Sequence, residues 1–201
     1  MPESYPLREQ KKKRTHAQLI EAADQIFLQQ GYNNTTMEDV AARAGMHVQT
    51  VYRHFPAKID LAIEINTSYF DAFERDFRNK NLKTLVFWRQ WVQQSLTDAS
   101  SIGVENLRKS LRDRFKMHET PAAFYEVDDK YEHLLATGIA QDMGVSLNKD
   151  KRPMLIACML WSSHKQMLRD WAIENRRVSL VKEALSIVDT AVEMLSLDQL
   201  R

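Results

Sequence analysis

The sequence predicts an all-α protein. The chain of 201 residues holds only 5 glycines and 5 prolines, the two residues that most often interrupt regular structure. Apolar residues recur at the 3.6-residue helical period over long stretches, and alternating β-branched runs are nearly absent. Together these patterns divide the chain into about nine helices.

The first helix is expected from about Arg8 to Gln30, with Leu19, Ile20, Ala23, Ile26 and Phe27 as its buried stripe and Gly31 ending it. A short second helix follows. Thr36 is its N-cap, with Asp39 three residues on; Met37, Val40, Ala41 and Ala44 fall at helical spacing, and Gly45 suits a left-handed C-cap. In the third helix Val48, Val51 and Phe55 point inward. The fourth begins near Ala57, just after Pro56, and carries Leu61, Ile65, Tyr69, Phe70, Phe73 and Phe77. A domain boundary is placed within it, dividing residues 1–60 from 61–201. Later helices are expected over about 82–99, 103–117, 121–143, 151–175 and 179–197, with breaks at Gly103, Pro121, Gly144, Pro153 and the polar stretch Asn175 to Arg177. The predicted architecture is a three-helix N-terminal bundle joined to a larger helical domain.

Two short helical segments separated by one glycine form the pattern of a helix-turn-helix. Once the third helix buries its apolar side, Gln49, Thr50, Tyr52, Arg53 and His54 remain on its surface, a set rich in groups that bond base edges and phosphates. Gln49 suits adenine, Arg53 guanine or a phosphate, and Thr50 a thymine methyl or a phosphate. Tyr52 would lie against sugar and phosphate, although a phenol can also simply pack. Lys58 would hold a phosphate together with the backbone donors at the start of the fourth helix; its bland reading is a free surface lysine. The expected DNA-binding set is Thr36, His47, Gln49, Thr50, Tyr52, Arg53, His54 and Lys58. The basic run Lys11, Lys12, Lys13 and Arg14, preceded by Arg8, is either a solvated arm or a further contact to phosphates or the minor groove.

Tyr52, His54, Phe55 and Lys58 spell Tyr-x-His-Phe-x-x-Lys after a Thr-capped helix and an Ala-Gly turn. This segment resembles the DNA-binding domain of the TetR family of transcriptional repressors, with departures at His47 and Gln49, where family members often carry a serine and a small residue. The resemblance covers about the first quarter of the chain with specific motifs and extends more weakly through length and helix order. It implies a homodimeric regulator with double-stranded DNA and a small, often hydrophobic effector as partners. In such proteins the effector moves the fourth helix and separates the two recognition helices.

The remaining helices supply candidates for both partner surfaces. Phe87, Trp88, Trp91, Phe115, Tyr125, Trp161, His164 and Met167 are each ordinary core residues taken singly, but as a set they suit an apolar pocket with polar handles, and they form the expected effector site. Met117, Phe124 and Tyr131 lie among them. A single reading module buries little surface and binds weakly alone, so specific binding implies two copies on a palindromic operator. The apolar stripe of the last helix, with its small residues, offers the seam: Val181, Leu185, Val188, Val192 and Leu195, together with Met159 of the preceding helix, are the expected dimer residues.

Composition and motifs exclude several alternatives. A net charge of +1, with 44% hydrophobic and 27% charged residues, is ordinary for a soluble protein. The lone Cys158 excludes an internal disulfide and sits in the apolar run Leu155 to Trp161, which is far too short to span a bilayer. The start lacks the apolar stretch of a signal peptide, so the cytoplasm is the expected location. No phosphate-binding glycine loop, Cys-x-x-Cys pair, His-Glu-x-x-His helix or Gly-x-Ser-x-Gly elbow occurs, the six histidines are scattered, and the adjacent Asp128 and Asp129 diverge. Neither an enzyme nor a metal or cofactor is expected. A helical interaction or scaffold protein is the remaining alternative, and it would leave the polar face of the third helix unexplained.

Overall fold

In the computed structural model, residues 4–116, 122–174 and 178–194 are described, and their regular structure is entirely helical. Nine helices follow in order: α1 (Ser4–Gln30), α2 (Met37–Ala44), α3 (Val48–His54), α4 (Lys58–Arg78), α5 (Thr84–Ser100), α6 (Val104–Phe115), α7 (Ala122–Met143), α8 (Arg152–Ile173) and α9 (Leu180–Met194). Helix α1 begins about a turn before the expected Arg8, so the basic run Lys11 to Arg14 lies along an exposed helical face rather than in a free arm. Met117, Pro121, the Asn175–Arg177 break and Leu195 lie outside the described residues. No described helix is long and apolar enough to cross a membrane.

Apolar side chains gather into two cores. Leu19, Ala23 and Phe27 of α1 pack with Met37, Val40, Val51 and Phe55 of the short helices, and Leu61 and Ile65 of α4 close that cluster. Five residues further along the same helix, Phe70, Phe73 and Phe77 enter the second core, built from α5, α6, α7, α8 and α9. Leu61 and Ile65 thus pack with the first core although they follow residue 60. The second core is dense in rings: Tyr131 stacks on Trp161 with centroids 4.0 Å apart, and Phe73 meets Trp91 edge-on at 4.8 Å.

Polar groups fasten the helix ends. Arg108, almost wholly buried on α6, donates to the carbonyl oxygen of Trp171 and lies 3.9 Å over that residue's ring, while Arg112 Nε donates to Ala172 O at 3.2 Å. Two guanidiniums thereby satisfy carbonyls left open at the C-terminal end of α8, where the helix dipole also favours positive charge. Asp142 accepts from the Thr84 N–H at 2.5 Å, at the opposite end of the dipole in α5. Arg89 forms a two-pronged pair with Asp189, at 2.8 and 3.1 Å, joining α5 to α9.

Two consequences for stability follow from this packing. Gly138 on α7 lets α4 and α5 approach closely: an added Cβ would lie 2.5 Å from Phe77 Cζ and 2.5 Å from the fully buried Thr84 Oγ1. Gly138→Ala should therefore destabilise by about 1–3 kcal/mol in urea unfolding, outweighing the ~1 kcal/mol that alanine gains in helix propensity. An unchanged or raised midpoint would contradict the close approach. His164 is buried, which pushes its pKa from 6.5 down to about 4. Between those values the unfolded chain binds the extra proton, so stability should fall as pH drops through the window from 6.5 to 4, and be fully present above it. The slope should reach up to about 1.4 kcal/mol per pH unit. Unfolding midpoints of the protein and of His164→Gln, compared across that range, should differ in slope; parallel profiles would remove His164 as the cause.

Candidate nucleic-acid interface and ligand cavity

The α2–α3 unit is held by local bonds legible one residue at a time. The Thr36 N–H donates to Asp39 Oδ2 at 2.9 Å and the Asp39 N–H donates to Thr36 Oγ1 at 3.1 Å, a reciprocal cap. Gly45 takes the left-handed conformation at φ 65°, sending its N–H to Ala42 O, while the Met46 N–H reaches Ala41 O, so α2 stops and the chain turns. His47 stands at the N-cap of α3 without a side-chain capping bond. The fully buried Val51 and the nearly buried Phe55 fix the roll of α3 against the first core. That roll leaves His47, Gln49, Tyr52 and Arg53 exposed and Thr50 half-buried on one outward surface.

His54 and Lys58 have partners within the protein. The His54 ring lies beside the packed pair of Phe55 and His16 of α1, with centroids 6.4 and 6.0 Å away, and burial beside His16, Arg53 and Lys12 lowers its pKa. It is consequently held toward its neutral form. Lys58 Nζ donates to the carbonyl oxygens of Tyr32 at 2.7 Å and Thr35 at 2.8 Å and sits 4.2 Å from the centroid of the Tyr32 ring. Two of its three donors are thus spent on the loop that presents the Thr36 cap. Its signature position at the start of α4 carries no information about that loop, which lies 23 and 26 residues earlier.

Below this unit lies a cavity of about 570 Å³. Its walls come from α1 (Asp24, Phe27, Leu28), the following Tyr32, α4 (Ala62, Ile65, Asn66, Tyr69), α5, α6, α7 and α8. Of the eight residues expected at an effector site, Trp91, Phe115, Trp161 and His164 line it. Trp88 and Met167 are instead buried in the second core, Phe87 packs against that core, and Tyr125 is 60% exposed, one position out of phase with the buried Phe124. The walls from α1 and α4 were not among the expected residues, because Phe27 and Ile65 carry the same sequence signal as bundle core.

The polar groups of the cavity are largely matched. Tyr69 Oη donates to both oxygens of Asp24 at 2.8 Å; burial raises the pKa of each partner, and the neighbouring Asp24 charge adds to the rise in Tyr69. Lys165 Nζ donates to Asp128 Oδ2 at 2.6 Å, and Trp161 Nε1 donates to Asp128 Oδ1 at 3.0 Å. Arg114 Nη2 donates to Asn66 Oδ1 at 2.7 Å.

The expected dimer residues divide by accessibility. Val188 and Val192 are buried, turned into the chain's own second core, whereas Met159, Val181 and Leu185 keep part of their surface open. Leu155, Val178, Ile173 and Met194 are exposed apolar residues of the same region. Cys158 donates to Glu132 at 3.2 Å, and burial, with the adjacent carboxylate, pushes its pKa up to about 11, so it remains a thiol near neutrality. Among the described residues, no three His, Cys, Asp or Glu side chains gather as metal ligands.

Known proteins share this arrangement. The family model "Bacterial regulatory proteins, tetR family" matches residues 19–65, which span the end of α1 through the first part of α4. The HTH-type transcriptional regulator TcmR of Streptomyces glaucescens is 30% identical over 203 aligned positions, covering 96% of this chain and 88% of TcmR. Among solved structures, SmeT, the repressor of the Stenotrophomonas maltophilia multidrug efflux pump SmeDEF, superimposes with a TM-score of 0.66 at 20% identity, covering 89% of each chain. FadR of Bacillus subtilis, in complex with stearoyl-CoA, does so with a TM-score of 0.63 at 18% identity, covering 88% of this chain and 97% of FadR. With a capped helix-turn-helix on a nine-helix frame and a similarity to TcmR that runs nearly end to end, the chain belongs to the TetR family of DNA-binding transcriptional regulators, a family without enzymatic activity.

Proposed function

We propose that the protein is a cytoplasmic homodimeric repressor, released from a palindromic operator by a small, largely apolar effector. The observation that carries this reading is the cavity, whose walls belong to both cores: Phe27 and Ile65 come from the first, and Trp161 and Leu107 from the second. At about 570 Å³ it falls within the roughly 300–1,000 Å³ of sites for small organic molecules. A molecule lodged there presses directly on α1 and α4, the helices that brace α3. It need prefer the non-binding arrangement by only a few kcal/mol to shift the population. Triclosan, bound in a SmeT complex, is largely apolar, and the stearoyl-CoA of the FadR complex carries a long apolar acyl chain on a charged head, which supports an effector with an apolar body here.

In this reading residues 1–60 read DNA and residues 61–201 bind effector and partner, with α4 shared between them. His47, Gln49, Thr50, Tyr52 and Arg53 form the contact surface, Thr36 holds its cap beside it, and His54 contributes as a neutral ring. The second copy docks on the open side of α8 and α9, through Met159, Val181, Leu185 and the exposed Leu155. Val188 and Val192 support that face from beneath.

Selection of bound sequences from random duplex DNA tests the whole reading, with the recovered site then titrated in salt. A palindrome bound by two chains is expected; a folded protein that enriches no sequence would favour a helical interaction protein. Within that assay Arg53→Ala should cost about 1–3 kcal/mol at particular base pairs and relax the preference there. Lys58→Met should weaken all sequences alike and lower the melting temperature while leaving the salt dependence nearly intact, because its donors are spent on Tyr32 and Thr35. A fall of about one unit in the salt slope would instead assign Lys58 to a phosphate.

A further inference from the structure

The charged groups of the cavity differ in how fully they are matched. Asp24 receives the Tyr69 hydroxyl on both oxygens. Lys165 is paired with Asp128. Arg114 has no such match: among the described residues no carboxylate lies within ion-pair distance of it, and its hydrogen bond to the neutral Asn66 amide uses one of five donors. Asp128 acts on the guanidinium through its field, while its two oxygens accept from Lys165 and Trp161. Phe124 lies 5.5 Å below the guanidinium carbon.

Arg114 is an exposed residue whose accessible surface forms part of a cavity wall that is otherwise mainly apolar. The surrounding protein lowers its pKa, and the Asp128 charge acts in the opposite direction. A guanidinium that faces an apolar cavity without an ion-pair partner favours an anion that enters it. Asn66 orients the planar fork from α4, which leaves the remaining N–H groups for a carboxylate, sulfonate or phenolate oxygen.

The geometry points to an anion-binding subsite at Arg114, so that the effector is an amphipathic anion: a flat or extended apolar body with one acidic group, the body lying against Trp91 and Trp161 and the acidic group on the guanidinium. This rests on the reading of the cavity as the effector site and specifies its chemistry. It also couples the ligand to the DNA-binding unit. Arg114 is adjacent in α6 to Asp113, whose Oδ2 accepts from the Asn33 N–H at 3.2 Å in the loop between α1 and α2. An anion that draws Arg114 inward displaces Asp113 with it.

The test uses two probes built on one frame, anilinonaphthalene sulfonate and the uncharged N-phenylnaphthylamine, titrated against the full-length protein. The sulfonate should bind about tenfold tighter or more. Arg114→Gln should bring the two probes to similar affinity while leaving the uncharged one nearly unchanged, and Arg114→Lys should retain part of the preference. Ala99→Trp, which fills the cavity, should weaken both probes and so locate them. Equal affinity of both probes for the wild-type protein, or a preference that survives Arg114→Gln, would overturn the anion subsite while leaving an apolar effector cavity in place. Binding of neither probe, or probes indifferent to Ala99→Trp, would overturn the subsite and the cavity reading together. If Arg114→Gln does not fold, undiminished preference in Arg114→Lys together with indifference to salt would count against the subsite.

Discussion

Helix α4 must bury apolar residues in two cores at once, and the rest of the architecture depends on that constraint. Leu61 and Ile65 belong to the cluster that carries α3, whereas Phe70, Phe73 and Phe77 belong to the cluster of α5, α6, α7, α8 and α9. Protein interiors are close-packed, so a helix clamped at both ends transmits a displacement as a rigid body rather than absorbing it. The cavity opens where the clamping changes hands. Ile65, Asn66 and Tyr69 face it, and this stretch of α4 is where a ligand can exchange contacts without breaking either core.

Charge in the interior is arranged to hold helices by their ends. Arg108 and Arg112 fasten α6 to the C-terminal carbonyls of α8, and Asp142 receives the first amide of α5. These bonds fix the register of helices whose apolar faces would otherwise tolerate sliding. They also set two ties side by side near the C-terminal end of α6: Arg112 holds α8, and the adjacent Asp113 accepts from the loop ahead of the Thr36 cap.

The helix-turn-helix was legible because its determinants are local. A threonine, an aspartate three residues later and a glycine past the end specify α2 with no knowledge of what packs on it, and the alternation of buried Val51 and Phe55 with Gln49 and Arg53 sets the outward face of α3. The cavity was legible only in part. Trp91, Phe115, Trp161 and His164 stood out as aromatic or titratable residues on the middle helices, whereas Phe27 read as part of the stripe of an ordinary bundle helix, and Leu28 and Arg114 carried no signal of their own. What distinguishes a wall residue from a core residue is the absence of atoms opposite it, a property of several helices together and of no single period. Lys58 shows the same limit: its donors go to carbonyls far back in the chain, chosen by the fold and not by its neighbours. Tyr125 shows how a shift of one residue, about 100° around a helix, carries an aromatic ring from the interior to water.

All four tryptophans belong to or pack against the second core, and none lies in the α1–α3 unit. Trp91 and Trp161 line the cavity, while Trp88 and Trp171 are almost wholly buried away from it. The protein therefore carries its own optical probe. Intrinsic emission reports occupancy of the cavity through two indoles and integrity of the packing through the other two, while loss of structure confined to the DNA-reading helices leaves those four indoles in place. Ligand entry and local melting of the reading unit are thus spectroscopically separable in the unlabelled chain.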